Sequence, residues 1–246
     1  MVKHKIIGNG VMAHRGNMSE YPENTLVSFE SAIKLGADWI ELDIQRTKDG
    51  HIVVTHDYDT LRVCGEKQIV SQSNLSDLKK LNFGNYINDN DFYELPLLSD
   101  VFTLIKKNNC TKVTIQPKNN GLIKQAIKLA DSFGLMDRIA FNDINCEYLI
   151  EVKQINPKIP VFWDRLPLSD LETDIFISNK FNFDCLMYVK EGLSKERALA
   201  IKNEGILIGA CVVNLKEDML RFIKMGIDAF YTDYPSLLIE IQKDLN

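Results

Sequence analysis

A chain of 246 residues, 45% hydrophobic and 26% charged, has the balance of a folded globular protein and is long enough for one α/β barrel or two smaller domains. A formal net charge of −5 argues against a general nucleic-acid surface, which needs basic patches to displace counterions, and requires that any anionic substrate meet a few cations concentrated in a cleft. No 18-residue apolar run and no Pro- or Ser-rich linker interrupts the chain, so a single domain over 1–246 without stable membrane insertion is expected.

From Met1 to Gly10 no apolar stretch is long enough for a secretory signal, which favours a cytoplasmic protein. His4 falls in a start expected to be frayed. Cys64, Cys110, Cys146, Cys185 and Cys211 are odd in number and form no CxxC pair, so they read as reduced packing residues rather than disulfides or zinc ligands.

The first β-rich run, Gly10 to His14, leads through Arg15-Gly16 to Pro22-Glu23-Asn24-Thr25 and a helical pattern that runs to Leu35 and stops at Gly36. Asn24 is the expected N-cap of that helix, and Glu23 is placed to reach the same region. The next run spans Asp38 to Ile44, and another begins at Ile52 after only seven residues. A parallel crossover needs roughly a dozen residues or more, so Ile52 to His56 should fold back antiparallel through a turn at Asp49-Gly50. Counting back from that turn sets His56 opposite Asp43.

Between Asp57 and Pro96 the alternation gives way to a polar stretch with one helical pattern at Leu75, Leu78 and Leu81. Residues of about 58–96 are expected to form an insertion over the mouth of the fold. Further runs follow at Lys112–Gln116, Arg138–Phe141, Ile159–Trp163, Asp184–Tyr188, Ile206–Val213 and Ala229–Thr232, with late helices at Lys195–Asn203 and Lys216–Lys224 closed by Glu204-Gly205 and Met225-Gly226. Nine runs, one of them antiparallel, fit a (β/α)8 TIM-type barrel with a small insertion after the second strand.

His14 and His56 lie at the C-terminal ends of their runs, the active face of such a barrel. A single histidine there is commonly structural; two, each beside a carboxylate, point to chemistry. Arg15 would share the mouth with His14, and Asp57 could orient His56 or simply end the strand. Glu41 and Asp43, two apart on a strand, point to one side, and inside a barrel that side is the lumen. Two buried carboxylates call for a divalent cation with oxygen ligands, Ca2+ or Mg2+. Gln116-Pro117-Lys118 would bring an amide oxygen and an ammonium to the same mouth, and Lys118 with Arg15 would supply the local positive charge.

In order and spacing, His14-Arg15-Gly16, Pro22-Glu23-Asn24-Thr25, Gly36-Ala37-Asp38, Glu41-Leu42-Asp43, Thr47, Asp49-Gly50, Val53-Val54 and His56-Asp57 resemble the glycerophosphodiester phosphodiesterase family. The resemblance continues more faintly through Leu95-Pro96-Leu97-Leu98, Gln116-Pro117-Lys118, Val213-Asn214, Gly226-Ile227-Asp228 and Thr232-Asp233-Tyr234-Pro235. It implies a metal-dependent hydrolase releasing glycerol 3-phosphate and an alcohol from a small-molecule phosphodiester. It also implies His14 and His56 as acid and base, Glu41 and Asp43 as metal ligands, and Arg15 and Lys118 as phosphate-binding cations. Gln116 stands where the family has a glutamate ligand, which implies weaker metal binding; Cys211 replaces an aromatic and Ala140 a serine, which implies a different headgroup pocket. The alternatives are a lysophospholipase D-like enzyme, whose mark would be an apolar cover drawn from Phe83, Tyr86, Ile87, Phe92 and Tyr93, and a non-catalytic binding protein on the same barrel. The motifs leave the oligomeric state open.

Overall fold

The alternation of β-rich and amphipathic segments closes into a ring. The computed structural model describes residues 4–87, 91–108 and 110–245. A one-turn helix α1 (His4–Ile7) precedes β1 (Val11–Ala13), α2 (Leu26–Leu35), β2 (Trp39–Arg46) and β3 (Ile52–Val54). Short helices α3 (Leu61–Cys64) and α4 (Leu75–Leu78) then lead to α5 (Leu98–Lys107), β4 (Lys112–Pro117), α6 (Leu122–Phe133), β5 (Ile139–Asp143), α7 (Cys146–Ile155), β6 (Val161–Arg165) and α8 (Leu171–Phe181). The chain finishes through β7 (Cys185–Val189), α9 (Lys195–Asn203), β8 (Leu207–Cys211), α10 (Lys216–Met225), β9 (Ala229–Thr232) and α11 (Pro235–Asp244).

Eight of these strands are parallel, and the pairing of β1 with both β2 and β9 closes the barrel. The ninth, β3, is the antiparallel return strand, paired along the upper part of β2. Its register differs by one residue from the expected one. Ile44 faces Val54 and Arg46 faces Ile52, so Thr55, whose N–H donates to the Asp43 carbonyl at 3.0 Å, stands opposite Asp43. The turn has three residues rather than two: Gly50 N–H closes on the Thr47 carbonyl and Thr47 N–H on His51, with Gly50 at φ +90°. His56 therefore lies past the end of β3, outside the ladder.

Strand alternation divides the core in two. Ile40, Leu42 and Ile44 of β2 face outward into the layer shared with the helices, beside Phe29, Phe102 and Ile105. Trp39 faces inward with Met12, Ala140, Phe162, Met187 and Tyr231, filling the lumen. The start of the chain is not frayed at His4. α1 sits under this lumen core, with Ile7 buried and the Ile6 carbonyl accepting from Trp39 Nε1 at 3.1 Å.

Helix ends follow the glycine signals: Gly36 and Gly226 are left-handed C-caps, and Gly205 follows Glu204 with positive φ. The N-cap of α2 is Thr25 rather than Asn24. Thr25 has extended backbone and accepts from Ser28 N–H at 3.3 Å, whereas Asn24 is held at φ +56°. In the segment 58–96, of which 88–90 lie outside the described residues, three short helical pieces replace the single expected one. They enclose a small core of their own, with Val63, Val70, Leu78, Leu81, Phe83 and Leu95 buried together. All five cysteines are free; Cys64 and Cys185 are buried, whereas Cys110 is exposed. Among the described residues no helix is long and apolar enough to cross a membrane.

Gly16 and Gly36 separate backbone strain from steric exclusion, since both have φ above +90°. A Cβ at Gly36 meets nothing within 4 Å, whereas one at Gly16 would lie 2.1 Å from Ser28 Oγ and 2.9 Å from its carbonyl carbon. Gly36→Ala should cost about 1 kcal/mol and Gly16→Ala about 3 kcal/mol, read from urea unfolding. Equal costs would show that the turn after β1 yields freely.

Candidate active site

All seven residues singled out in the sequence, His14, Arg15, Glu41, Asp43, His56, Gln116 and Lys118, come to the C-terminal face of the barrel. β1 ends at Ala13, and the chain turns back at once through Arg15 and Gly16, at φ +53° and +93°. A left-handed arginine is strained, and the surroundings hold it. Its N–H donates to Glu41 Oε2 at 3.1 Å, and its carbonyl accepts from Asn24 N–H at 3.0 Å.

On β2 the odd-numbered residues point inward, so Glu41 and Asp43 rise directly above Trp39, 2% and 1% exposed. Their environments differ. Burial and then the neighbouring Asp43 push the Glu41 carboxyl up. Burial would also raise Asp43, but Lys118 and Arg15, with help from His56, hold it down at about 2. Lys118 Nζ lies 2.9 Å from Asp43 Oδ1 and Arg15 Nε 3.3 Å from Oδ2. The two cations expected to be available for a phosphate thus share Asp43 in this state.

Asn24 is an addition to the site. Its Nδ2 donates to Asp43 Oδ2 at 2.9 Å, and its Oδ1 accepts from the Asp43 N–H at 3.3 Å. Its left-handed backbone, which asparagine tolerates well, turns the amide inward rather than onto the helix end.

Each histidine is oriented through Nδ1. That of His14 is 2.7 Å from Asp233 Oδ1, and Asp233 is itself held by Asn214 Nδ2 at 2.6 Å. That of His56 is 2.7 Å from Asp57 Oδ1. In both rings Nε2 is the nitrogen left for other work. Their titrations part in opposite directions. Burial lowers the His14 pKa, but the hydrogen bond to Asp233 and the charge of Glu41 outweigh it and raise it above the ordinary value. Burial, helped by Arg15 and Lys118, lowers that of His56 despite Asp43 and Asp57.

Glu23 reaches the site's edge, bonded to Arg15 Nη1 at 2.9 Å and gripped by Arg62 of the insertion at 2.6 and 2.7 Å. Arg62 also donates to Asp57 Oδ2 at 2.6 Å, so it fixes the support of His56. On the far side, Asp164 of β6 accepts from Gln116 Nε2 at 3.3 Å and from Asn142 Nδ2 at 3.2 Å. Burial, which outweighs the Asn142 bond, pushes Asp164 up to about 7, with Glu41 and Asp143 adding to the rise. Of the altered pocket positions, Ala140 is fully buried in the lumen core and Cys211 half-buried at its upper rim.

A hard divalent cation suits this donor set. Asp43 Oδ1 and Gln116 Oε1 converge on one cation, the ammonium of Lys118, and Asp43 and Gln116 are register partners on adjacent strands. Glu41 is the second carboxylate on the same face. Among the described residues no three His, Cys, Asp or Glu side chains form a metal cluster; the other oxygen on this face is the neutral amide of Gln116.

Residues 14–237 match the model described as the Glycerophosphoryl diester phosphodiesterase family. The chain belongs to that family. It is 32% identical to a glycerophosphodiester phosphodiesterase of Caldanaerobacter subterraneus over 94% of this chain and 96% of that one. It is 26% identical to a human lysophospholipase D over 92% and 84% of the two chains. A phosphodiesterase from Oleispira antarctica, solved with its product sn-glycerol-3-phosphate, superposes with a TM-score of 0.85 at 22% identity, covering 99% and 98%. Membership makes the chain a phosphodiester hydrolase on a (β/α)8 barrel and removes the non-catalytic alternative.

Histidine titration by NMR should place His14 above and His56 below the ordinary value of about 6.5. Asp233→Asn should lower His14 and leave His56 unchanged. A raised folded-state pKa means that the His14 contribution to stability is complete below about 6.5 and is lost as pH rises through the folded value. That loss should be absent in Asp233→Asn.

Proposed function

We propose that one catalytic barrel over residues 1–246, with the insertion at about 58–96, hydrolyses glycerophosphodiesters to glycerol 3-phosphate and an alcohol. In this reading His56 is the general base and His14 the general acid. The observation that carries it is the opposed displacement of two histidines, each oriented by a carboxylate, across a buried acid pair. Near neutral pH, His56 is free to accept a proton at Nε2 from the nucleophile, water or the glycerol 2-hydroxyl. His14 keeps a proton at Nε2 to deliver to the leaving alkoxide. The nucleophile's oxygen forms the new P–O bond as the alkoxide leaves; water gives glycerol 3-phosphate directly, whereas the 2-hydroxyl gives a cyclic phosphate that a water, activated in the same way, then opens to glycerol 3-phosphate.

Arg15 and Lys118 meet the charge of the diester, which a protein of net charge −5 must do locally. Glu41, Asp43 and Gln116 would hold a divalent cation, Ca2+ or Mg2+, which when bound neutralises the phosphoryl oxygens and stabilises charge building in the transition state. Asn24 holds Asp43 with its carboxylate toward that position. The substrate is a small diester met in the cytoplasm, not a nucleic acid.

A second reading, an acylated lysophospholipid as substrate, has one structural feature in its favour. Tyr58, Phe92, Leu166, Leu168 and Leu215, all on loops of the C-terminal face, are 52–97% exposed. Phe83, counted toward an apolar cover, is instead buried in the insertion's own core, and the Tyr86 hydroxyl accepts from Glu23 N–H.

Turnover of glycerophosphocholine and glycerophosphoethanolamine, with calcium, magnesium or chelator, tests the reading, and an acylated substrate in parallel separates the second one. His14→Ala and His56→Ala should each lose on the order of 10²–10⁴ in kcat. The parent pH profile should be a bell, rising as His56 loses its proton and falling as His14 loses its own. His56→Ala should remove the acid limb and His14→Ala the alkaline limb; unchanged turnover in either variant would overturn the assignment.

A further inference from the structure

Gln116 is an unusual member of an acidic oxygen set. A carboxylate presents oxygen whichever way it turns, but a carboxamide presents oxygen from one side and N–H from the other. Turned the wrong way, Gln116 would aim its NH2 group at Lys118 and at any cation beside Asp43. The amide also contributes no charge.

In the structure the amide is held one way. Nε2 donates to Asp164 Oδ2 at 3.3 Å, two strands away, and Oε1 faces Lys118 and Asp43. Asp164 is fixed in turn by Asn142 on the strand between, which donates to the same Oδ2 at 3.2 Å and accepts from Thr114 Oγ1 at 2.9 Å. All four side chains belong to the inward sets of β4, β5 and β6. The remaining Asp164 oxygen, Oδ1, is buried with no hydrogen-bond partner. A carboxyl group placed so is costly to the fold on its own account.

We propose that Asp164 is the positioning residue that makes Gln116 serve as a metal ligand. Accepting from Nε2, it fixes Oε1 toward the mouth and polarises the amide. Outer partners act on metal sites in this way, orienting a ligand and raising its basicity. The inference rests on Glu41, Asp43 and Gln116 holding a divalent cation, as proposed above.

Calorimetric titration with calcium tests it without recourse to turnover. The proteins are the parent, Asp164→Asn, Gln116→Glu and the double variant, each checked for fold by thermal unfolding without metal. Asp164→Asn should weaken calcium binding about 10–100-fold while its metal-free melting temperature stays level or rises, since burial already penalises the carboxyl group that is replaced. In the Gln116→Glu background the sign should reverse. Asp164 would there face a carboxylate, so Asp164→Asn should tighten binding, and the double variant should bind better than either the parent or Gln116→Glu alone.

A merely structural Asp164 would not produce that reversal. Equal effects of Asp164→Asn in both backgrounds, or none in the parent background, would overturn the inference and leave the phosphodiesterase reading intact. A parent that binds no calcium or magnesium would overturn it together with the metal part of that reading, and turnover in chelator would then show whether the histidine pair stands alone.

Discussion

The site is organised around two carboxylates that share the inside of one strand. Glu41 and Asp43 are buried above Trp39 in the lumen, where an ion loses its hydration and gains only what its neighbours give. Asp43 receives Lys118, Arg15 and both ends of the Asn24 amide, and it stays ionised. Glu41 receives one backbone N–H from Arg15, and its carboxyl is pushed up. This inequality governs the neighbourhood. Removing one partner from a buried pair costs about 3–5 kcal/mol, so the residues on Asp43 are costly to replace. Arg15 accepts a left-handed backbone because its N–H, carbonyl and guanidinium all have partners in that conformation.

The insertion belongs to the same network. Its small core takes in Val53 of β3, Tyr86 meets the Glu23 N–H, and Arg62 ties it to the site by forking onto Glu23 and reaching Asp57. Glu23 is in turn bonded to Arg15, and Asp57 to His56. One side chain from a peripheral segment therefore orients both the cation beside Asp43 and one histidine. The bidentate geometry makes arginine difficult to replace there, since lysine could not hold both acids at once.

Much of this was legible in the sequence because it is written in periodicity. Strand runs, the short hairpin, the glycine helix ends and the inward parity of Glu41 and Asp43 all follow from spacing. What spacing hides is backbone sign and closure. Pro22-Glu23-Asn24-Thr25 reads as an N-cap at Asn24, and only the positive φ there hands the cap to Thr25 and frees the amide for Asp43. The hairpin register moved by one because Gly50, left-handed, adds a third residue to the turn. Asp164 sits between Trp163 and Arg165 like any polar strand end. Its meeting with Gln116 depends on β5 bringing two strands of unrelated sequence around the lumen.

The lumen is polar on one side only, and that asymmetry locates the work. At the height of the site, β2, β4, β5 and β6 present Asp43, Gln116, Asn142 and Asp164, while β7 and β9 present Met187 and Tyr231, packed in the lumen core. Gly209 on β8 lacks a side chain because the Met187 thioether fills that space; a Cβ would lie 2.1 Å from its sulfur. An apolar wall facing a charged one keeps the effective dielectric low where the charges are, so each ion pair counts for more than at the surface. In the proposed reading a diester anion entering the mouth would meet Arg15, Lys118 and His14, whose pKa is raised, on the β1–β2–β4 side, opposite the apolar Met187 and Tyr231 of β7 and β9. It would be drawn to the same side as Glu41 and Asp43, against their repulsion. In the proposed reading that repulsion is what a divalent cation held by Glu41 and Asp43 would relieve: Arg15 and Lys118 are already committed to Asp43, and alone they would have to neutralise both an acid pair and a phosphate.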